Sequence, residues 1–135
     1  MTEQTPVTEN ISAVASVLVV TDIHRSVEFY RKKLGLIIRE VWGSPPSFAI
    51  ADAPGGAIML KQGICEDEPN DAAPNHVRVH HLWDAYIWVK SLDPIIAFFE
   101  AAGTKYTPPA EQPHGCTEIE VTDPDNYRIC FGYCP

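Results

Sequence analysis

The stretch WDAYIWVKS, residues 83–91, alternates between two kinds of side chain and therefore predicts a β-strand. Ala85, Ile87 and Val89 fall on one face of that strand, where small and aliphatic residues are typical of a core. The other face carries a carboxylate and two aromatic rings with polar tips, namely Asp84, Tyr86 and Trp88. Two interpretations are open for that face: a sheet surface wetted by solvent, or the wall of a ligand cavity.

A pattern of strand, helix and further strands occurs twice along the chain. The two matching segments are VTDIHRSVEFYRKKLG at 20–35 and VKSLDPIIAFFEAAG at 89–103. Each starts at a Val that ends an apolar strand, and Asp22 and Ser91 are then residue types that cap the start of a helix. Apolar residues follow at helical spacing. Gly35 and Gly103 suit the left-handed position at which a helix ends.

Three short strands are predicted after each helix. They lie at 37–42, 47–52 and 56–61 in the first half, and at 104–107, 116–122 and 127–133 in the second. The segment TDPDN supplies turn-forming residues before the last strand. Each half is thus βαβββ, which predicts an α+β fold with a curved mixed sheet around a cleft and the helices outside. The predicted divisions are a loose tail (1–10), a first module (11–61), a linker (62–82) with some strand at 77–80, and a second module (83–135).

Composition narrows the possible partners and the compartment. The chain has 135 residues, 45% hydrophobic and 21% charged, which is typical of one soluble globular domain. Its net charge of −8 disfavours nucleic acid. No apolar run approaches the ~20 residues of a membrane span, and the polar N-terminus has no signal-peptide pattern. We therefore expect a cytoplasmic protein with neither nucleic-acid nor membrane partners. Its four cysteines are expected to be free thiols, namely Cys65, Cys116, Cys130 and Cys134.

Four segments resemble a known family. They are VTDIHRSVEFYRKKLG, WVKSLD, EQPHG and TDPDNYRI. Together they resemble the vicinal oxygen chelate superfamily of glyoxalase I, extradiol dioxygenases, and fosfomycin and bleomycin resistance proteins, over roughly residues 11–134. The last segment is similar to the family's Asp-Pro-Asp-Gly-Asn-Arg turn, with Asn126 in place of Gly, and Asn tolerates the left-handed conformation. Bleomycin-resistance members are the most similar, which implies drug sequestration without chemistry, in grooves formed by a homodimer.

The resemblance also implies where a metal would bind. The family's ligands are usually His and Glu, and the matching positions here are Ala15, Met59, Asp84 and Cys130. Ala has no donor atom, and the soft thioether of Met and the hard oxygen of Asp suit different ions. A catalytic divalent metal needs about three protein ligands, so we expect no metal and no cofactor. His76, His80 and His81 with Asp84 form a second possible group, for which an exposed connector is the favoured interpretation.

The family's ligand positions point into the cleft, so the resemblance assigns strand faces. It places three groups on the cleft wall: Asp84, Tyr86 and Trp88; Ala15, Val17 and Val19; and Glu118, Glu120, Arg128 and Cys130. In the strand at 47–52, the alternation assigns Ser47, Ala49 and Ala51 to the cleft and Phe48 and Ile50 to the helix side. The candidate ligand-binding residues are Trp42, Asp84, Tyr86, Trp88, His114, Glu118, Glu120 and Arg128.

Three functional hypotheses follow. The first is a metal-independent binding protein that holds a cationic or aromatic small molecule with its rings and carboxylates. The alternative is a metal-free lyase or isomerase, in which Asp84, Glu118 or Tyr86 acts as acid or base and His114 is a further candidate. The third is a homodimer whose cleft has lost its function. No arrangement of nucleophile, base and orienting group can be recognised in the sequence.

Overall fold

The computed structural model describes residues 7–63, 74–75 and 82–135. The first half contains β1 (Val14–Val20), α1 (Ile23–Glu28), β2 (Ile37–Trp42), β3 (Phe48–Ala53) and β4 (Gly56–Gln62). A 3-10 turn (Val7–Asn10) precedes β1, and a π-helical turn (Phe29–Lys33) continues α1. The second half contains β5 (Ala85–Trp88), α2 (Asp93–Ala102), β6 (Ala110–Glu111), β7 (Thr117–Thr122) and β8 (Arg128–Tyr133). The predicted α+β fold with two βαβββ modules is confirmed.

The strands form two four-stranded mixed sheets with equivalent topology. The first has the order β1-β4-β3-β2 and the second β5-β8-β7-β6. In each sheet the first strand pairs in parallel with the last, and the other pairs are antiparallel. The repeat in the sequence is therefore a repeat in the structure. None of the helices among the described residues is long and apolar enough to cross a lipid bilayer.

The helix boundaries follow the predicted signals at three of four ends. The Asp22 carboxylate accepts two backbone N–H bonds from the first turn of α1, at 3.1 and 3.2 Å. Gly35 and Gly103 both adopt the left-handed conformation, with φ of 78° and 71°. The prediction that Ser91 caps α2 was wrong, because Leu92 occupies the N-cap and no side chain bonds there.

The predicted strand at 104–107 is absent from the second sheet. Thr107 makes a single backbone bond to Glu120, at 3.0 Å. Pro108 and Pro109 follow, and neither has an N–H to extend a ladder. Pairing with β7 therefore resumes only in the two-residue strand β6.

One hydrophobic core joins the two modules. Its buried members come from both halves: Leu18, Val20, Ile23, Tyr30, Leu34, Ala49, Ala51, Ile58, Leu60, Ala85, Leu92, Phe99, Ile119, Val121, Tyr127, Ile129 and Phe131. Two tyrosines cross between the modules. The Tyr30 hydroxyl donates to Asp123 at 2.8 Å, and the Tyr127 hydroxyl donates to the carbonyl of Val19 at 2.7 Å. Buried apolar surface and paired polar groups thus fix one module against the other.

The core shows that the predicted faces of β3 were reversed. Ala49 and Ala51 lie in the core, where they pair with Leu60 and Ile58 of β4. Ile50 lies on the opposite face of the sheet. Helix α1 contacts both β3 and β4, and small side chains permit such an approach. The core face of β3 is therefore the one with alanines.

Candidate functional site

A row of three aromatic rings begins just before β5 and continues along it. The ring centroids of Trp83 and Tyr86 are 5.0 Å apart, and those of Tyr86 and Trp88 are 5.2 Å apart. The interplanar angles are 64° and 58°, within the range of tilted and edge-to-face pairs. Trp88 ends the row and is 74% exposed. The row thus presents the ring of Trp88 to solvent, and the adjacent ring of Tyr86 supports it.

Sequence alternation did not identify Trp83 as part of this row. It gave Trp83 no face, and because β5 begins only at Ala85, the alternation does not extend back to residue 83. The Trp83 indole N–H donates to the Glu120 carboxylate at 2.8 Å. This bond links the start of the aromatic row to β7.

Tyr86 crosses a neighbouring strand to reach a buried carboxylate. Its hydroxyl donates to Glu118 at 2.7 Å, and the Glu118 side chain is only 5% exposed. Gly132 of β8 lies between them, opposite Glu118 in the register. A methyl group at Gly132 would collide with the Tyr86 ring and hydroxyl, so the phenol lies directly over bare backbone. A glycine within the apolar strand RICFGY is the signal for such a close approach.

The Tyr86–Glu118 pair has a defined protonation pattern. Burial raises the pKa of the Tyr86 phenol, and its hydrogen bond to Glu118 and the charge of that carboxylate raise it further. The phenol therefore remains a donor at neutral pH. His114 is more than half exposed, and its Nε2 lies 3.7 Å from the same Glu118 carboxylate. A protonated imidazole would form an ion pair there.

The other predicted carboxylates also have partners within the chain. Asp84 accepts backbone N–H bonds from Asn75 at 2.7 Å and from Arg128 at 2.8 Å. Its carboxylate thus fastens the start of β5 to the start of β8. The Glu120 carboxylate accepts the Trp83 bond. Asp84, Glu118 and Glu120 are therefore all committed to hydrogen bonds inside the chain.

The structure brings part of the predicted set together. Tyr86, Trp88, Glu118 and His114 form one group, and Glu120 joins it through Trp83. The backbone of Arg128 holds Asp84, and its side chain is half-buried. Trp42 lies in the first sheet, 40% exposed, and its ring contact among the described residues is with Phe48 at 5.4 Å. The linker histidines His76, His80 and His81 lie outside the described residues.

A cavity of about 390 Å³ lies between β1, the β3–β4 turn and β5, which is within the size range of small-molecule sites. Its lining comprises Val14, Ser16, Leu36, Ala51, Ala53, Pro54, Gly55, Gly56, Ala57, Ile58, Ala85, Tyr86, Ile87 and Trp88. Tyr86 and Trp88 are the two predicted ligand-binding residues in this wall. Among the described residues, this wall contains no charged side chain.

The residues at the family's metal positions do not form a suitable donor set. Ala15 offers no donor, and both oxygens of Asp84 accept backbone N–H bonds. Cys130 is fully buried, and burial raises the pKa of its thiol to about 12, so it stays protonated at neutral pH. The thioether of Met59 would then be the one remaining donor of the four positions, which is too few to hold a catalytic divalent metal. Elsewhere in residues 7–63, 74–75 and 82–135, no cluster of His, Cys, Asp and Glu is arranged to hold a metal.

One disulfide corrects the prediction that the cysteines are free thiols. Cys116, just before β7, is bonded to Cys134, just after β8, and their Cα atoms are 4.2 Å apart. The two residues are 18 positions apart in sequence, but antiparallel pairing places them opposite each other. Cys130 is a free thiol, as predicted, and Cys65 lies outside the described residues.

Comparison with protein families gives one match over nearly the whole chain. The family model described as Glyoxalase/Bleomycin resistance protein/Dioxygenase superfamily matches residues 11–131. In the comparison with curated proteins, nothing matches.

Solved structures share the fold at low sequence identity. A glyoxalase/bleomycin resistance protein/dioxygenase from Nocardioides is 23% identical, with a TM-score of 0.64 over 98% of this chain and 86% of that chain. TnmS3, an antibiotic binding protein from Streptomyces sp. CB03234, is 18% identical, with a TM-score of 0.68 over 93% and 98%. Lactoylglutathione lyase from Agrobacterium tumefaciens is 16% identical, with a TM-score of 0.63 over 89% and 91%. The same fold thus occurs in a binding protein and in a lyase.

Proposed function

The chain belongs to the Glyoxalase/Bleomycin resistance protein/Dioxygenase superfamily, and from this premise we propose that it is a metal-independent protein that binds a planar aromatic small molecule. One observation carries the proposal: Trp88, which is 74% exposed, is held against Tyr86 in the wall of a cavity of about 390 Å³. Exposed aromatic rings beside an apolar cavity are a typical means of holding flat ligands.

The aromatic row is organised before any ligand arrives. Tyr86 is oriented by its bond to Glu118 and packs between Trp83 and Trp88. A ligand that stacks on Trp88 would therefore contact a ring that Tyr86 already holds in place. Binding to such a surface loses less conformational freedom than binding to loose side chains.

The charge of the ligand is a second part of the proposal. The part of the cavity wall that the structure describes has no charged side chain, and Asp84, Glu118 and Glu120 are all hydrogen-bonded within the chain. These contacts favour an aromatic ligand over one recognised mainly by a positive charge. The net charge of −8 still attracts cations and repels anions at a distance, so a neutral or cationic planar molecule is the proposed ligand.

The proposal does not include the superfamily's metal chemistry, because the donor set does not fit it. Asp84 is engaged by two backbone N–H groups, and the Cys130 thiol is protonated at neutral pH. It does include a homodimer, which the family resemblance implies, and the cytoplasmic location expected from the composition.

A metal-free lyase or isomerase is the second candidate, and the buried Glu118 favours it. A carboxylate with a phenol at 2.7 Å and an imidazole at 3.7 Å has the parts of an acid–base site. In this hypothesis Tyr86 would donate a proton and Glu118 would accept one. Recovery of a bound ligand after prolonged incubation distinguishes the two functions. A binding protein returns it unchanged in mass and chromatographic retention, whereas an enzyme returns a product.

The test of the binding proposal uses three flat molecules of similar shape: proflavine as the cation, acridone as the neutral compound and anthracene carboxylate as the anion. Each is titrated against the wild-type chain, Trp88→Ala and Trp42→Ala. We expect proflavine or acridone to bind, and Trp88→Ala to weaken binding by roughly tenfold, since losing a stacked ring costs about 0.5–1.5 kcal/mol beyond its lost contact area.

Trp42→Ala is the matched control, because Trp42 is also an exposed tryptophan but lies outside the cavity wall. It is expected to bind like the wild type. If the anion binds and the other two do not, the proposed ligand class is wrong. If Trp42→Ala weakens binding and Trp88→Ala does not, the site lies on the first module instead.

A further inference from the structure

The disulfide lies at the end of the sheet where Tyr86 is held. Cys116 is two residues before Glu118, and Cys134 is two residues after Gly132. The bridge therefore ties together the ends of the two strands that Tyr86 spans. Its position closes the hairpin of β7 and β8 beside the buried Glu118 carboxylate.

The bridge also touches the phenol directly. The Tyr86 hydroxyl lies 2.7 Å from Glu118 and 3.8 Å from the Cys134 sulfur. One side of the hydroxyl thus meets the carboxylate and another meets the disulfide. Trp88 contacts the same Tyr86 ring, so a displacement of the phenol directly changes the packing of the exposed indole.

The two cysteines differ in access to solvent. Cys134 is exposed, whereas Cys116 is buried. The last register pair of the sheet is Thr117 with Tyr133. Beyond that pair, the disulfide joins Cys134 to Cys116 at the start of β7. A reductant can reach the bridge from the Cys134 side.

We propose that the Cys116–Cys134 disulfide is a redox switch for the aromatic site, with the oxidised chain binding planar ligands more tightly than the reduced chain. This inference rests on the proposed function. A reducing cytoplasm, the predicted location, makes a disulfide there a reversible feature rather than a permanent one. Reduction releases the C-terminal residues and removes one wall around the Tyr86 hydroxyl.

The switching chemistry needs a dithiol reductant. One of its thiolates attacks the sulfur of Cys134, the exposed residue of the bridge, forms a mixed disulfide and expels the Cys116 thiolate, which takes up a proton. The second thiolate then attacks the sulfur of the reductant in that mixed disulfide and expels the Cys134 thiolate, which is also protonated. Two electrons and two protons pass to the chain, and the reductant leaves as its own disulfide.

The experiment compares the oxidised chain with the chain reduced by dithiothreitol. The long-wavelength tryptophan bands of the near-ultraviolet circular dichroism, where the disulfide itself contributes little, report the packing of the aromatic row without ligand, and acridone titration reports binding. We expect reduction to change the aromatic signal and to weaken acridone binding by roughly three- to tenfold, the effect of losing one oriented ring contact. Reoxidation is expected to restore both.

Two variants serve as controls. Cys116→Ser with Cys134→Ser is expected to resemble the reduced chain and to ignore dithiothreitol. Cys130→Ala is expected to keep the redox response, since its buried thiol is outside the bridge. Should the double variant fail to fold, the reduced wild-type chain, blocked with iodoacetamide, provides the same comparison.

The outcomes separate this inference from the proposed function. If reduction changes neither the aromatic signal nor acridone binding, the switch is wrong. If both forms bind acridone equally although the signal changes, the bridge does not control binding, and the switch is again wrong. If the signal changes reversibly but neither form binds any of the three flat molecules, the coupling of bridge and ring stands and the proposed function fails.

Discussion

The position of Tyr86 depends on a residue with no side chain. Gly132 leaves the backbone of β8 bare, and the phenol lies across it to reach Glu118. A methyl group at 132 and the ring of Tyr86 compete for the same space. The aromatic row, the buried carboxylate and the disulfide therefore all meet at this glycine.

We predict that Gly132→Ala destabilises the chain by about 1–3 kcal/mol, the usual cost of forcing a group into packed space. In the Tyr86→Ala background the same substitution is expected to cost little, because the competing ring is gone. Chemical denaturation of the two single variants and the double variant measures both effects. Equal costs of Gly132→Ala in the two backgrounds would contradict this explanation of the tyrosine's position.

At single positions, the sequence showed which side chains share the cleft wall better than it showed which groups those side chains contact. The family resemblance placed Tyr86 and Glu118 on the cleft wall, and the structure joins them by a hydrogen bond. The sequence could not show that Asp84 is engaged by backbone N–H groups, since those bonds depend on how β5 meets β8. The part played by Trp83 depends on where the strand begins, which periodicity does not determine to within a residue.

At the scale of elements, alternation succeeds where charged residues repeat along one face of a strand and fails where the charged signal is a single residue near the strand end. In β7 the acidic residues Glu118 and Glu120 marked one face, and Ile119 and Val121 on the other face are in the core. In β3 the charged residue Asp52 shares a face with Phe48 and Ile50 but lies near the end of the strand. The large apolar residues on that face outweighed this signal, although Ala49 and Ala51 are the residues that lie in the core. The disulfide was missed for a related reason, because strand register brings Cys116 and Cys134 together.

The turn between β7 and β8 contains a carboxylate with an altered affinity for protons. Asp123 accepts hydrogen bonds from Tyr30 and from the backbone N–H groups of Asp125 and Tyr127, each at 2.8 Å. Burial nevertheless raises the pKa of Asp123 from 3.8 to about 6. The folded chain thus binds this proton more tightly than the unfolded chain does.

This difference predicts that Asp123 makes the free energy of unfolding fall as the pH rises from about 4 to about 7. A shift of about two pKa units corresponds to a contribution on the order of 3 kcal/mol. Denaturation across this range is expected to show a steeper fall for the wild-type chain than for Asp123→Asn. Asp93→Asn, at an exposed position in α2, is the control and should follow the wild type. Parallel curves for wild type and Asp123→Asn would refute the prediction.

At the scale of the whole molecule, several large apolar side chains are exposed to solvent. Val17 of β1 is 61% exposed and Trp88 of β5 is 74% exposed. In the described part of the chain, β1 and β5 each form the edge of a sheet. Edges with exposed apolar residues are surfaces that proteins usually cover. A second copy of the chain would cover both and enclose the cavity between them, consistent with the homodimer that the family resemblance implies.

We predict a homodimer at micromolar concentration with β1 in its interface. Sedimentation equilibrium should give about twice the monomer mass of 15.0 kDa, and Val17→Glu should shift the chain to monomer, because it buries an unpaired carboxylate in an apolar contact. Ile37→Glu is the matched control, since Ile37 is 73% exposed but lies on β2, at the opposite edge of the same sheet. A monomer mass at all concentrations would exclude the dimer. If Ile37→Glu dissociates the dimer and Val17→Glu does not, the interface lies at β2 instead of β1, and Trp88 is open to solvent and ligand.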